Sequence, residues 1–492
     1  MNNQSVNKIV IAGGGSAGWM AAAALSKKLS STVQIELVES DEIGTVGVGE
    51  ATIPPIRAFH KLLGIDEKAF VAATNASFKL GISFENWQDI EKNYFHSFGQ
   101  TGQQTWIADF IHFWLRAQKL GIAADFGTYC IEHQAAQAHK FALTQKPELN
   151  YAYHLDAGLY AQFLRKFSEN NGAKRTQGKI KQVNQNNETG YIESLELDNG
   201  HIVSGDLFID CTGFRGLLIE QTLHTGYQDW SHWLPCDSAI AVQTEKTSDA
   251  LPYTRSIARD FGWQWQIPLQ NRIGNGLVYC SKYLNDEAAS QTLLNNLESA
   301  TINTPRVIKY KTGRRLKNWN KNCVALGLAS GFVEPLESTS LHLIMMGITR
   351  LIQLFSFENI NQSIIDEYNQ QALDEIEKIR DFIILHYHVT DRTDTAFWRY
   401  CKSMEVPPSL THRINMFREN ALAFQHNNEL FRVDSWTQVM LGQGIMPKQY
   451  HKVVNSMPEA ELKHLFKGMQ MNIEKAVSSL PSHQSFLNQH FA

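Results

Sequence analysis

Apolar and polar positions follow two regimes along the chain. The apolar run Lys8–Ala12 reads as a buried strand, the Ala-rich stretch 17–29 as a helix, and Gln34–Glu39 as a second strand. Residues 176–211 read as strands broken by turns near 186–190 and at Asp198-Asn199-Gly200, and residues 252–282 are strand-like again. In Gly262-Trp263-Gln264-Trp265-Gln266-Ile267-Pro268 the alternation is strict. Trp263, Trp265 and Ile267 share one face, and the two glutamines share the other. From about residue 339 the period becomes helical, through 341–355, 374–386, 409–424 and 459–471. There is no internal repeat and no low-complexity linker. The pattern predicts an α/β scaffold over residues 1–340, with inserted segments near 85–165, followed by a mainly helical module over 341–492.

Composition narrows the function classes. The chain has 492 residues, 43% hydrophobic and 19% charged, which suits a globular protein with a large core. A net charge of −4 gives no pull towards nucleic acid or an anionic membrane. The most apolar run, 341–355, contains His342, Arg350 and Gln353 and reads as a buried helix rather than a membrane span. The opening MNNQSVNKIV lacks the basic-then-apolar order of a signal peptide. Cys130, Cys211, Cys236, Cys280, Cys323 and Cys401 are scattered with no C-x-x-C, a reduced pattern without a zinc framework. His386 and His388 have no third ligand at metal spacing and read as structural. The expectation is a cytoplasmic protein without a metal.

Chemistry enters at Gly13, Gly15 and Gly18, in G-x-G-x-x-G spacing between the first strand and helix. With Ser16 and Ala17 they form a turn whose backbone can approach a pyrophosphate at a helix N-terminus. Glu39 ends the next strand, 21 residues after Gly18, where an acid accepts ribose hydroxyls. The competing reading is a glycine-rich turn in another fold. Three more segments favour FAD over NAD, because an extended FAD touches the chain far from its first loop. They are VGVGEATIPP (46–55, with Val48, Gly49 and Ala51), LFIDCTGFRGLL (207–218) and VALGLASGFVEPLEST (324–339, with Gly327 and Leu328). Leu328 stands where flavin hydroxylases place the aspartate of a G-D pair, which argues against a plain aromatic hydroxylase.

Taken together, GGGSAGW (13–19), VGVGEATIP (46–54), NASFKLG (75–81), GWQWQIP (262–268), FVEPLEST (332–339) and RTDTAFW (392–398) resemble the flavin-dependent halogenases of the tryptophan halogenase family over nearly the whole chain. The resemblance implies a three-layer, Rossmann-like, flavin monooxygenase-type FAD scaffold with a helical C-terminal substrate module. It implies Lys79 as the catalytic lysine that holds hypohalous acid or forms a haloamine, and Glu337 as the acid facing the same pocket. It places halide at the backbone of Thr339 and Ser340, although the family has glycine where Ser340 stands. It makes His96 and Phe98 the sandwich for the substrate ring and Trp436 a further substrate contact. It makes Trp263 and Trp265 a partition that keeps the arene from the flavin while passing a small oxidant.

The residues alone leave alternatives. The tryptophan strand can be a heavily aromatic core strand. Lys79 can snorkel to the surface, Glu337 can cap a helix, and His96 can be structural. In residues 433–444 the family's tryptophan-specific members carry a tyrosine-rich clamp, and this chain has Ser435, Trp436 and Thr437. The implied activity is halogenation of an indole-type ring with FADH2, O2 and chloride or bromide. A separate NAD(P)H-dependent reductase would supply the flavin without a stable complex, and the protein would be a monomer or homodimer. The rivals are a flavin aromatic hydroxylase and a non-catalytic flavin-binding protein.

Overall fold

The computed structural model describes residues 5–42, 50–144, 148–358 and 360–491. Contacts group the chain into two compact units. One comprises Met1–Ala76, Leu155–Leu234 and Tyr310–Glu377; the other comprises Ser77–His154, Pro235–Lys309 and Lys378–Ala492. The units interleave along the chain, so the boundary expected at residue 340 falls inside a segment of the first unit.

The first unit is built on a six-stranded sheet. Its order is Trp319–Asn320, Cys323–Ala325, Leu207–Asp210, Lys8–Ala12, Gln34–Glu39 and Lys174–Gln177. All pairings are parallel except the outermost, between Trp319–Asn320 and Cys323–Ala325. The central strand KIVIA is apolar on both faces because both are covered. Helix Ser16–Leu29 covers one face. Its Ala21, Ala22, Ala23 and Ala24 are fully buried, and it packs on helices Ala157–Asn170 and Ser340–Leu354. Small side chains let these helices approach closely, and Lys27 and Lys28 complement the dipole in the last turn. On the other face, Ile192, Leu195, Leu197 and Val203 of a small antiparallel sheet pack on Val10, Phe208 and Leu218.

The second unit is built on a seven-stranded sheet, in the order Arg306–Lys309, Ser238–Glu245, Arg272–Tyr279, Gly262–Pro268, Thr254–Arg259, Gly81–Glu85 and Asn93–Ser97. Helix Asp286–Asn295 packs Ala289 and Leu293 on Ile240, Val242, Leu277 and Tyr279 of one face. The C-terminal helices of this unit include Ala396–Ser403, Pro408–Asn420, Val433–Gly442, Glu459–Ser478 and His483–Phe491.

The helical periods located these elements with shifted ends. Stretch 374–386 is the interior of a longer helix, Gln362–His388, whose polar first half carries a weak apolar stripe. Stretch 409–424 stops at Asn420, because Ala421 turns left-handed at φ 57° and caps the helix. Stretch 459–471 continues to Ser478. All six cysteines are free thiols. Among the described residues, no cluster of three or more His, Cys, Asp or Glu could hold a metal, and no helix is long and apolar enough to cross a membrane.

Candidate active site

The residues singled out above fall in both units, and each half is described in turn. In the first unit the glycine turn closes against the strand end at Cys211. Gly13 has φ +108°, and a Cβ there would lie 2.4 Å from the Cys211 carbonyl oxygen. Gly18 lets the helix sit on the turn, since its Cβ would lie 1.8 Å from the Gly13 carbonyl oxygen. Gly15 is the N-cap, and Ser16 and Ala17 open the helix. Glu39 reaches back over this turn. Its carboxylate accepts from Arg175 Nε at 2.6 Å and from Trp19 Nε1 at 3.3 Å.

The other two segments arrive through backbone bonds. Cys211 N–H donates to the Ala12 carbonyl, and Leu326 N–H donates to the Asp210 carbonyl. Gly327 then lies against the first helix, where its Cβ would be 2.9 Å from that of Ala17. Asp210 organises the second segment. One carboxylate oxygen accepts from Thr212 N–H and Oγ1, the other from Leu218 and Ile219 N–H, at 2.7–2.9 Å. Those last two residues lie in a π-helical turn, Leu217–Thr222. Asp210 was not singled out in the sequence, where it is one polar residue ending an apolar strand. The glycine turn, Glu39, the Asp210 segment and Gly327 thus converge in one unit, and they fit an extended dinucleotide. Leu328 continues the turn after Gly327, and Ala51 is buried in a two-residue strand. Val48 and Gly49 lie outside the described residues.

This cradle has a direct test. Gly13→Val combines a disfavoured φ with a clash against backbone, so FAD affinity should fall by about tenfold or more with far-UV circular dichroism unchanged. Unchanged affinity by flavin fluorescence titration would remove this turn from the pyrophosphate.

Glu337 ends a 3-10 turn, Pro335–Glu337, and is fully buried. Ser338 is left-handed at φ 59°, which turns the chain into Thr339 and helix Ser340–Leu354. Thr339 is the N-cap, yet its side chain makes no capping bond, and its buried Oγ1 has no hydrogen-bond partner. A hydroxyl with an unused hydrogen at the positive end of a fifteen-residue helix suits a small anion.

One turn further on, His342 Nε2 lies 3.3 Å from Glu375, which also accepts from Arg350 at 2.8 Å. Burial alone would raise the Glu375 carboxyl. The hydrogen bonds and charges of His342 and Arg350 outweigh it and hold the carboxyl below its usual range. The sequence signalled this cluster only as polar residues inside an apolar helix.

In the second unit the tryptophan strand behaves as its alternation predicts. Trp263 and Trp265 point to one face with ring centroids 6.0 Å apart. Gly276 stands opposite Trp265 and leaves room for its indole, since a Cβ there would lie 2.0 Å from that ring. Trp263 is fully buried and packs on Trp87, while Trp265 is only half-buried. On the other face Gln264 accepts from Arg259 at 2.7 Å and Gln266 from Arg255 at 2.6 Å. Register carries the tryptophan face across the sheet. Trp265 pairs with Ser256, Thr254 with Ile82, and Ile82 with His96, so His96 shares that face.

Lys79 ends the short strand Ser77–Lys79 and is 0% exposed, so it does not snorkel to the surface. Its Nζ lies 5.2 Å from the centroid of the Phe98 ring. His96 is 2% exposed, with Phe382 and Phe431 at 5.6 and 6.2 Å. Trp436 packs edge-on against the same Phe382 at 4.8 Å. Its N–H donates to Glu429 at 3.3 Å, and the Arg413 guanidinium lies 4.3 Å over its ring. Structure therefore joins Lys79 to Phe98 and sets His96 and Trp436 around one phenylalanine. Tyr94 also belongs to this strand, and its hydroxyl lies 2.6 Å from His386 Nδ1.

Known proteins resemble the chain over nearly its whole length. The family model for tryptophan halogenase matches residues 8–459. Tryptophan 7-halogenase RebH of Lentzea aerocolonigenes is 33% identical, over 98% of both chains. Tryptophan 6-halogenase SttH of Streptomyces toxytricini is 32% identical, over 99% of this chain and 98% of the relative. The solved structure of a flavin-dependent halogenase from Xanthomonas campestris superposes with a TM-score of 0.97 at 55% identity, with 99% of each chain covered. A match of this length, on a chain whose dinucleotide cradle and tryptophan strand are both in place, settles the class: the chain belongs to the tryptophan halogenase family and is a flavin-dependent halogenase.

Proposed function

We propose that the protein halogenates an indole-type ring with chloride or bromide, through hypohalous acid and Lys79. Bound reduced FAD supplies the O2 activation that oxidises the halide, and a separate NAD(P)H-dependent reductase, not held in a stable complex, supplies the reduced flavin. The observation that carries this reading is the fully buried Lys79 beside Phe98, in a unit whose main sheet sets His96 and the tryptophan pair on one face.

Thr339 Oγ1 and the backbone of Thr339 and Ser340 hold the halide. Lys79 donates a hydrogen bond to hypohalous acid, or exchanges one N–H for an N–halogen bond with release of water, and presents the electrophilic halogen to a ring carbon. The ring stacks on His96 and Phe98. After the halogen has added, Glu337 takes the proton that the ring carbon loses. Trp263 and Trp265 keep the arene from the reduced cofactor. Incomplete burial of Trp265 favours that role over simple core packing, which would bury both indoles.

Trp436 and Thr437 are buried, and Trp436 is bound to Glu429, so residues 433–444 offer no tyrosine clamp for an amino-acid group. The substrate is therefore free indole, or an indole whose tail leaves the pocket, rather than tryptophan. The test is turnover with FAD, a flavin reductase, O2 and bromide. Bromoindole should form with kcat/KM at least about tenfold above that for tryptophan, the effect of one lost charge-assisted contact. Equal efficiency with tryptophan overturns the substrate reading. Hydroxyindole formed without halide overturns the reaction in favour of a hydroxylase, and bound FAD with no product from any arene leaves a flavin-binding protein.

A further inference from the structure

The strand that carries Lys79 is anchored by a chain of buried hydrogen bonds that passes through His154. Ser77 Oγ lies 2.5 Å from the Pro268 carbonyl oxygen and 3.0 Å from His154 Nδ1. His154 Nε2 lies 2.9 Å from Thr254 Oγ1. A carbonyl only accepts, so the Ser77 hydroxyl hydrogen goes to Pro268. The Ser77 oxygen must then accept from His154, which puts the imidazole proton on Nδ1. Nε2 keeps its lone pair and accepts from the Thr254 hydroxyl. Both ring nitrogens are thereby occupied, Nδ1 as a donor and Nε2 as an acceptor. Burial first, and then the charge of Lys79, keep the imidazole far below its usual basicity, so it stays neutral beside the ammonium.

The three anchors converge on Lys79. Ser77 pairs with His154 and Lys79 with Ala152, so Ser77 and Lys79 point to the same side of this ladder. Pro268 is the last residue of the tryptophan strand, and Thr254 is the first of the strand that pairs with it.

We propose that His154 is a positioning residue for Lys79. It ties the lysine strand, through Ser77, to Thr254 of the strand that adjoins the tryptophan strand, beside the direct bond from Ser77 to Pro268, so that the ammonium keeps a fixed place relative to Trp263 and Trp265. The proposal rests on Lys79 being the residue that presents the halogen. A loosened lysine should still meet hypohalous acid but deliver it poorly, so the oxidant escapes.

The measurement is the ratio of halogenated indole to free hypohalous acid, the latter caught by a scavenger dye, per bound FAD. A Gln at 154 can place its amide where Nε2 lies, keeping Thr254 and losing Ser77. An Asn can place its amide where Nδ1 lies, keeping Ser77. His154→Gln should lower the ratio by about tenfold or more, the scale for misplacing a reacting group by a fraction of an ångström to an ångström, and His154→Asn should recover most of it. Ser77→Ala leaves the imidazole in place but cuts this link together with the bond to Pro268, so its ratio should fall at least as far as that of His154→Gln, which keeps the test decisive if the glutamine variant fails to fold. A ratio unchanged in Ser77→Ala, or His154→Asn failing as badly as His154→Gln, overturns the proposal and leaves a packing histidine. Lys79→Ala separates the two levels. Normal halogenation by that variant refutes the role of Lys79 itself. Loss of halogenation there, with an unchanged ratio in Ser77→Ala, refutes only the positioning role.

Discussion

Lys79→Ala should abolish halogenation of indole, by about 10³-fold or more, the scale on which single members of a catalytic constellation act. Halide oxidation should continue, because it is assigned to the reduced flavin and not to this amine, and the oxidant should appear in solution as free hypohalous acid. The scavenger signal then rises as product falls, an inverse relation that a merely unfolded variant cannot give. Burial makes the control informative. An ammonium at 0% exposure is costly to hold in a protein interior. Lys79→Met keeps the length and loses the charge, so it should be inactive. A Met variant that halogenates would show that a side chain of that length suffices without its amine. A Met variant markedly less stable would show that the ammonium is held by more interaction than its chemistry requires.

Acid should unfold the protein early, over a window set by histidines. Burial holds His60 down to about 3, holds His112 and His483 down to about 4, and holds His154 well below its usual range. Each is neutral in the fold near pH 5 but takes up a proton in the unfolded chain below about 6.5. The unfolded state then binds more protons, and stability is lost as pH falls. Every such group removes about 1.4 kcal/mol per pH unit below that point. Glu50, pushed up to about 7 by burial, acts in the opposite sense, as do Asp109, Glu132 and Asp434, which burial also raises. His133, also held down to about 4 by burial, and His388, lowered by burial, add to the histidine side and leave a net loss over this window. The thermal midpoint should change little from pH 8 to 7 and fall by about 10 °C or more between pH 6.5 and 5. A midpoint flat across that interval would mean that these histidines become protonated in the folded protein.

What the sequence disclosed was whatever depends on residues close together in it. Gly13 and Gly18 announce a tight turn because they are five apart and flanked by strand and helix. Trp263 and Trp265 announce a shared face because a strand alternates. What stayed hidden depends on pairing across the fold. Ser77, His154, Thr254 and Pro268 form one hydrogen-bond chain, but no two of them are neighbours in the sequence, and each taken alone is an ordinary strand residue. Glu375 gains its meaning only from His342 and Arg350 on another helix. Lys79 shows the boundary between the two cases. Its apolar surroundings flagged it, but its complete burial and its approach to Phe98 needed the strand register. Trp436 was legible as an aromatic residue of the segment 433–444, and its tie to Glu429 was not.

The interleaving of the two units also sets an order of assembly during synthesis. Every segment of the first unit, including the glycine turn, Asp210, Gly327 and Glu337, has been made once residue 377 is in place. The strand that bears Lys79 waits much longer, although it is translated early. The backbone N–H of Phe78, beside Lys79, donates to His483 Nε2, 405 residues further along the chain. A nascent chain can therefore close its cofactor cradle while the lysine strand still lacks one of its anchors. Loss of the last two dozen residues would remove His483 and leave the Phe78 N–H without that acceptor, while every segment of the first unit is still present.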